Sequence, residues 1–191
     1  MTSKNQILIH YISNLMNFEK IYQMLLARFA DKTLAAQEEI PQPCILLQAQ
    51  DLPEIAEYLH RQEGLYFDML SCLTALDNGP EADTMEVIYH LYSIPYHHHL
   101  VLKVLLPRHT ATQALPQIPS VSGIWRTANW HEREAFDLLG IEFTGHPDLR
   151  RILLPADWEG YPLRKDYDTK ERYYRGMAID YDRDAKPNES A

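Results

Sequence analysis

With 191 residues and an apolar fraction of 46%, the chain is long enough for one hydrophobic core with an appended arm. A formal net charge of −9 argues against a nucleic-acid partner bound through phosphate neutralisation, and no apolar run approaches the roughly 20 residues of a membrane-spanning helix. The opening MTSKNQILIHYISN has neither a signal peptide's apolar stretch and cleavage site nor the arginines of a transit peptide, so a cytosolic address in a prokaryote is expected.

Residues 14–30 read as an amphipathic helix, because Phe18, Ile21, Tyr22, Leu25 and Phe29 recur at helical spacing. Residues 31–43 are polar and end in Pro41-Gln42-Pro43, a break. Cys44-Ile45-Leu46-Leu47 follows as a short buried strand. Asp51 is placed to cap a second helix, with Pro53 in its first turn and an end near Gly64. Three strand-like runs come next: Phe67 to Leu76, Met85 to Ile94, and His99 to Leu106. They are separated by Asp77-Asn78-Gly79-Pro80 and by Pro95. Short links favour an antiparallel meander. Val87, Tyr89 and Leu91 alternate with Glu86, Ile88 and His90, so both faces are partly apolar, as when helices cover one side and another layer or subunit touches the other. Helices before and after the sheet make the class α+β, helices packed on a small, mostly antiparallel sheet.

Residues 107–119 form a Pro-bounded connector, and Ser120 to Trp125 a helical turn. A helix then begins near Trp130. Asn129 and Glu132 have capping-box spacing, Phe136, Leu139 and Trp130 share a stripe, and Gly140 suits the left-handed residue that ends a helix. Ile141-Glu142-Phe143 alternates, and Gly145-His146-Pro147 forces a turn. The rest reads as turns and extended backbone, giving a core over 1–145 and an extended irregular arm over 146–191. The end beyond Lys170 is expected to fray.

Candidate chemistry is sparse. Cys44 and Cys72 read as small core hydrophobes; two thiols cannot supply the four ligands of a typical iron–sulfur cluster, and no CxxC suggests zinc. In His97-His98-His99, neighbouring side chains on a strand point to opposite faces, so a polar turn entering the third strand is expected rather than a metal site. His131-Glu132 starts like HExxH, but Ala135 stands where the second histidine belongs. His131, Glu132, Arg133 and Glu134 could supply an acid or base, yet no matched nucleophile or Gly-rich oxyanion segment is near. No phosphate-binding glycine loop exists.

The arm is richer. Arg150, Arg151, Arg164 and Lys165 alternate with Asp148, Asp157 and Asp166, and arginine forks onto carboxylates. Trp158, Tyr161 and Tyr167 are amphipathic groups of the kind enriched at interface cores. Pro147, Pro155 and Pro162 limit the freedom of the unbound arm. These residues suit an ordered strap, which either wraps its own domain or docks on a partner.

Glu132-Arg133-Glu134, Asp137-Leu138-Leu139-Gly140-Ile141, Gly145-His146-Pro147-Asp148-Leu149-Arg150-Arg151-Ile152-Leu153-Leu154-Pro155 and Asp157-Trp158-Glu159-Gly160-Tyr161-Pro162-Leu163-Arg164-Lys165-Asp166-Tyr167 closely resemble the C-type subunit of proton-pumping NADH–quinone oxidoreductase. That family is the bacterial counterpart of a core peripheral-arm subunit of respiratory complex I. Tyr161 stands where many members have a second histidine, and Pro95-Tyr96-His97-His98-His99 replaces a more polar turn. The resemblance implies a scaffold subunit with no cofactor of its own. FMN, iron–sulfur clusters and quinone would sit on other subunits. It implies partners of the B, D and I types, a peripheral place on the cytoplasmic side of the inner membrane, membrane contact only through the complex, and a chain not fused to its D-type neighbour. It makes Glu132, Arg133, Glu134, His146, Arg150, Arg151, Asp157, Trp158, Tyr161, Arg164, Lys165, Asp166 and Tyr167 the candidate interface or arm-anchoring residues. Arg150 and Arg164 are expected to hold buried charge pairs, and a cut after Leu139 to leave a soluble fold. The competing reading is a free-standing enzyme using His131, Glu132 or Glu134, with a pocket near that helix.

Overall fold

The computed structural model describes residues 17–108 and 114–167. Among these residues three α-helices pack on a mostly antiparallel five-stranded sheet, the α+β class expected. The elements in order are α1 (Phe18–Arg28), β1 (Ala35–Gln37), β2 (Cys44–Leu47), a 3₁₀ turn (Ala49–Asp51), α2 (Leu52–Arg61), β3 (Met69–Asp77), β4 (Thr84–Ser93), β5 (His98–Pro107), β6 (Gln117–Pro119), α3 (Ala128–Leu139) and β7 (Glu142–Thr144).

α1 begins where Asn17 accepts the Lys20 N–H at 3.0 Å, an N-cap that local sequence favours. It buries Ile21 and Leu25. Residues 14–16 of the expected helix lie outside the described residues, as does the end expected to fray. Asp51 does not cap α2: its backbone is already helical and its carboxylate takes Lys32 at 3.0 Å instead. α2 stops at Arg61, short of Gly64, because the chain turns back and the Phe67 N–H bonds the Leu59 carbonyl.

The sheet order is β1-β2-β5-β4-β3. The three long strands form the expected meander, while β2 runs parallel to β5. The polar break over 31–43 contains β1, which closes an antiparallel hairpin onto β2 around Pro41 and Pro43. Met85, Val87, Tyr89 and Leu91 of β4 turn toward the helices and are buried with Ile21, Ile55 and Leu59. The opposite face carries the Glu86–Lys103 ion pair at 3.1 Å and the partly exposed Leu76 and Leu105. The three histidines diverge: His97 takes a positive φ in the turn, His98 is buried on the Leu65 carbonyl at 2.8 Å, and His99 is exposed. The connector over 107–119 ends in β6, which pairs parallel with β7 and places both beside α3.

Candidate docking arm and its acid anchors

The expected capping box at α3 does not form. The helix starts at Ala128 after Thr127, with no side-chain cap. Its inward stripe is Ala128, Glu132, Ala135 and Leu139, the spacing of one helical face. Trp130 lies off that stripe and is 62% exposed, packed under the Arg133 guanidinium at 4.9 Å. Glu132 is therefore an acid inside the core. One carboxylate oxygen accepts the Val121 N–H at 2.8 Å and the other the Ser120 hydroxyl at 2.5 Å. Burial raises its pKa, the Ser120 and Val121 bonds hold back part of the rise, and the result is about 7. His146 is buried 3.9 Å away. Its Nδ1 accepts the Asp148 N–H at 3.0 Å while Nε2 donates to the Asn129 carbonyl at 3.2 Å, which makes it the neutral tautomer. The buried Tyr89 hydroxyl has no hydrogen-bond partner among the described residues; burial first and the Glu132 charge second push its pKa well up.

At Gly145 (φ +82°) the chain reverses into the arm, and an acid on α3 receives it. Asp137 is fully buried. A single oxygen accepts the N–H groups of Ile152, Leu153 and Leu154 at 2.9, 2.7 and 3.0 Å, and the other takes Arg151 at 3.0 Å. Burial alone would raise the Asp137 pKa, but the Leu153, Leu154, Ile152 and Arg151 donors outweigh it and leave the carboxyl below its usual range. Arg151 also holds the Gly160 carbonyl at 3.1 Å.

The arm then closes the C-terminal end of α3. Arg164 donates to the Leu139 and Gly140 carbonyls at 2.8 and 3.3 Å, and the Leu163 N–H to the Leu138 carbonyl at 3.0 Å. A cation there satisfies orphan carbonyls and meets the negative end of the helix dipole. Tyr161 lies between the guanidiniums of Arg151 and Arg164 at 5.3 and 5.0 Å. Its ring occupies the space a side chain at Gly140 would need, with the nearest ring atom 2.5 Å from an ideal Cβ. Gly140, at φ +69°, thus serves both the left-handed cap and the ring seat. Arg164→Ala is expected to cost about 2 kcal/mol through the lost charged hydrogen bonds, and Arg164→Lys to recover only part because an ammonium cannot make the fork. Urea denaturation of the three proteins measures this, and equal midpoints would refute the capping role.

A second acid fastens the far end. Asp77, at the end of β3, accepts Arg108 at 2.7 Å, the Gly79 N–H at 3.0 Å and the Lys165 N–H at 2.8 Å. Arg108 is itself fully buried and also pairs with Asp166. Burial works against ionisation of Asp77, but Arg108 and the Lys165 and Gly79 N–H groups hold its pKa down.

Of the residues singled out in the sequence, Glu132, Arg133, His146, Arg151, Tyr161, Arg164, Lys165 and Asp166 thus meet at the junction of arm and domain. Trp158 and Tyr167 stack on each other at 6.4 Å, and the Tyr167 hydroxyl reaches the Glu159 carbonyl. Arg150 does not hold a buried pair: its exposed side chain bonds Asp148 at 3.0 Å, and only its carbonyl takes Arg133. Asp157 and Glu134 are exposed. Three anchors escape the sequence reading: Asp137, Asp77 and Arg108. Glu134 and His131 line a cleft of about 310 Å³ between α3 and β3, which Leu163 of the arm borders. Among the described residues no group of three or more His, Cys, Asp or Glu is placed to hold a metal ion, and no helix is long and apolar enough to cross a membrane.

The family described as respiratory-chain NADH dehydrogenase, 30 Kd subunit, matches residues 45–173, which include β3 to β5, α3 and the arm through Tyr167. The chain belongs to this family. Its relatives include proteins named as the C subunit of NADH-quinone oxidoreductase. The one from Chloroherpeton thalassium is 39% identical over 85% of this chain and 65% of its own length, and the one from Chlorobium phaeobacteroides 38% identical over 84% and 93%. The 30 Kd-subunit fold also appears in the structure of the membrane-bound sulfane sulfur reductase, an archaeal respiratory membrane complex. A chain there superposes with a TM-score of 0.65 at 21% identity, covering 91% of this chain and 94% of its own.

Proposed function

We propose that this chain is a non-catalytic scaffold subunit of the peripheral arm of a proton-pumping NADH:quinone oxidoreductase. In this reading FMN, iron–sulfur clusters and quinone are carried by other subunits, this chain helps hold the B-, D- and I-type subunits together, and it meets the membrane's cytoplasmic side only through them. Family membership and the C-type relatives support it. The observation that carries it is the use made of the charged residues. Glu132, Asp137, Arg151 and Arg164 are engaged with main-chain groups of the domain and its arm rather than aimed into a cleft. Charge committed to fixing a surface strap suits a part whose task is to present a shaped surface, and the partly exposed Trp130, Leu153 and Leu163 lie along it. The domain over 1–145 and the arm over 146–191 would then serve as body and docking strap.

The test is a mild-detergent affinity isolation of the tagged chain from native membranes, with mass spectrometry of what accompanies it. Recovery of cluster-bearing and quinone-site subunits in fixed ratio is expected. Recovery of the chain alone at full yield would overturn the reading. A second reading, the equivalent subunit of a complex fed by another electron donor, draws on the fold shared with the sulfane sulfur reductase chain; the input subunits that co-purify decide between the two.

A further inference from the structure

Among the described residues the sheet ends on β3, which pairs only with β4. The phase of that pairing fixes which way each β3 residue faces. The Asn78 N–H donates to the Thr84 carbonyl at 3.0 Å, and the register runs unbroken from Asp77↔Met85 back to Cys72↔His90. Hydrogen-bonded and non-hydrogen-bonded pairs alternate in an antiparallel ladder. Cys72, Thr74 and Leu76 therefore bond β4, while the N–H and C=O groups of Leu73 and Ala75 point outward. Among the described residues no helix, loop or arm segment hydrogen-bonds those outward groups. A bulge at Leu70/Cys72 marks the start of this stretch and α3 packs beside it, but over 72–76, which reads Cys, Leu, Thr, Ala, Leu, no proline or lysine blocks the edge. Upstream, Leu70 differs, since the Thr127 hydroxyl covers its carbonyl.

The outward groups open into the cleft of about 310 Å³ beside α3, floored by residues 72–75 and walled by His131, Glu134 and Leu138, with Leu163 at one end. Glu134 is exposed and has no cationic partner among the described residues. The cleft thus offers a row of backbone donors and acceptors at strand spacing, an apolar wall and one uncompensated carboxylate.

We propose that this edge takes an added strand, supplied by an extended segment of another subunit that carries a lysine or arginine opposite Glu134. The inference rests on the reading of the chain as a subunit. In strand addition, main-chain bonds give the affinity and alternate side chains the specificity. Here one set of side chains packs on Leu138 and Leu163 and places the cation at Glu134, and the other set faces away from α3. The bordering Leu163 makes the added strand continuous with the arm, so strap and edge form one docking surface.

Amide hydrogen exchange on the isolated full chain and on the purified complex tests this. In the complex the Leu73 and Ala75 amides are expected to exchange roughly 100-fold more slowly than in the isolated chain, while the β4-bonded Thr74 amide is slow in both. Ala75→Pro removes one outward N–H and leaves the β4-facing bonds, a substitution tolerated at a strand edge; Glu134→Lys reverses the charge without touching the backbone. Both are expected to abolish the protection at Leu73. Equal exchange at Leu73 and Ala75 in a complex that retains its other subunits would overturn the added strand and leave the scaffold reading standing. Protection already present in the isolated chain would assign the edge to this chain's own residues or to a second copy, and would also overturn it. A chain recovered without partners would overturn both readings. Retained protection in Glu134→Lys would overturn the placement of a lysine or arginine opposite Glu134.

Discussion

Asp137→Ala is expected to be the most damaging single change in the arm system, costing about 3–5 kcal/mol, the range for removing one partner of a buried, hydrogen-bonded charge pair. The side chain has no solvent exposure, and one of its oxygens alone gathers three consecutive backbone N–H groups. Without it those donors and Arg151 lose their acceptor, and the arm's first anchor is gone. Asp137→Asn should fall between, since an amide oxygen still accepts but the charge is lost. Against a typical stability of about 5–15 kcal/mol, the alanine variant should show a much lower urea midpoint, with limited proteolysis cutting within 146–167. A midpoint within experimental error of the parent would show that the arm is held elsewhere.

The second large effect is a pH dependence of stability that runs opposite to that of an ordinary salt-bridged acid. The Glu132 pKa rises from 4.5 to about 7 on folding, so the folded state binds the extra proton. Its contribution is fully present below pH 4.5 and is lost as pH rises through 7. The gap corresponds to about 3 kcal/mol. Asp77 and Asp137 act the other way: their lowered pKa values give stability that is present above their unfolded values and lost as pH falls through the folded ones. His98, also lowered, first by burial, again favours the folded state at higher pH. The Glu132→Gln variant isolates the one term, because an amide keeps the size and the Ser120 and Val121 contacts but cannot titrate. Subtracting its stability profile from that of the parent between pH 4.5 and 8 should leave a curve that falls with pH. A flat difference would mean that Glu132 is ionised throughout.

What the sequence discloses follows the reach of its signals. The α1 stripe, the strand at Cys44–Leu47, the meander and the Gly140 stop are each written in a few neighbouring residues, and each is present. The short strands β1 and β6 read as connectors, because three residues carry no period and form only where a distant partner supplies the ladder. Glu132 shows the limit of a purely local rule. Its spacing from Asn129 matches a capping box, yet its true partners, Ser120 and Val121, lie 12 and 11 positions earlier, and a glutamate inside an apolar stripe resembles a surface residue to any hydropathy count. Asp137 and Asp77 escape for the same reason. Nothing adjacent to either marks it as buried: the donors of Asp137 arrive from the arm, and those of Asp77 from Arg108, Gly79 and the arm's Lys165. A cut after Leu139, which local reading allows, would remove the buried Ile141 and Phe143 together with β7, so no fold is expected to survive it.

The bond from the Lys165 N–H to Asp77 spans 88 positions. Closing so long a loop comes late, after the meander with its short links has formed. Contacts absent from the folding transition state act on unfolding alone. Loss of the Lys165–Asp77 bond should therefore leave the refolding limb of the chevron in place and hasten the escape from the native state. The arm is in this sense a clock for the unassembled subunit: the acids beneath it set how long a newly made copy stays folded while it waits for its neighbours.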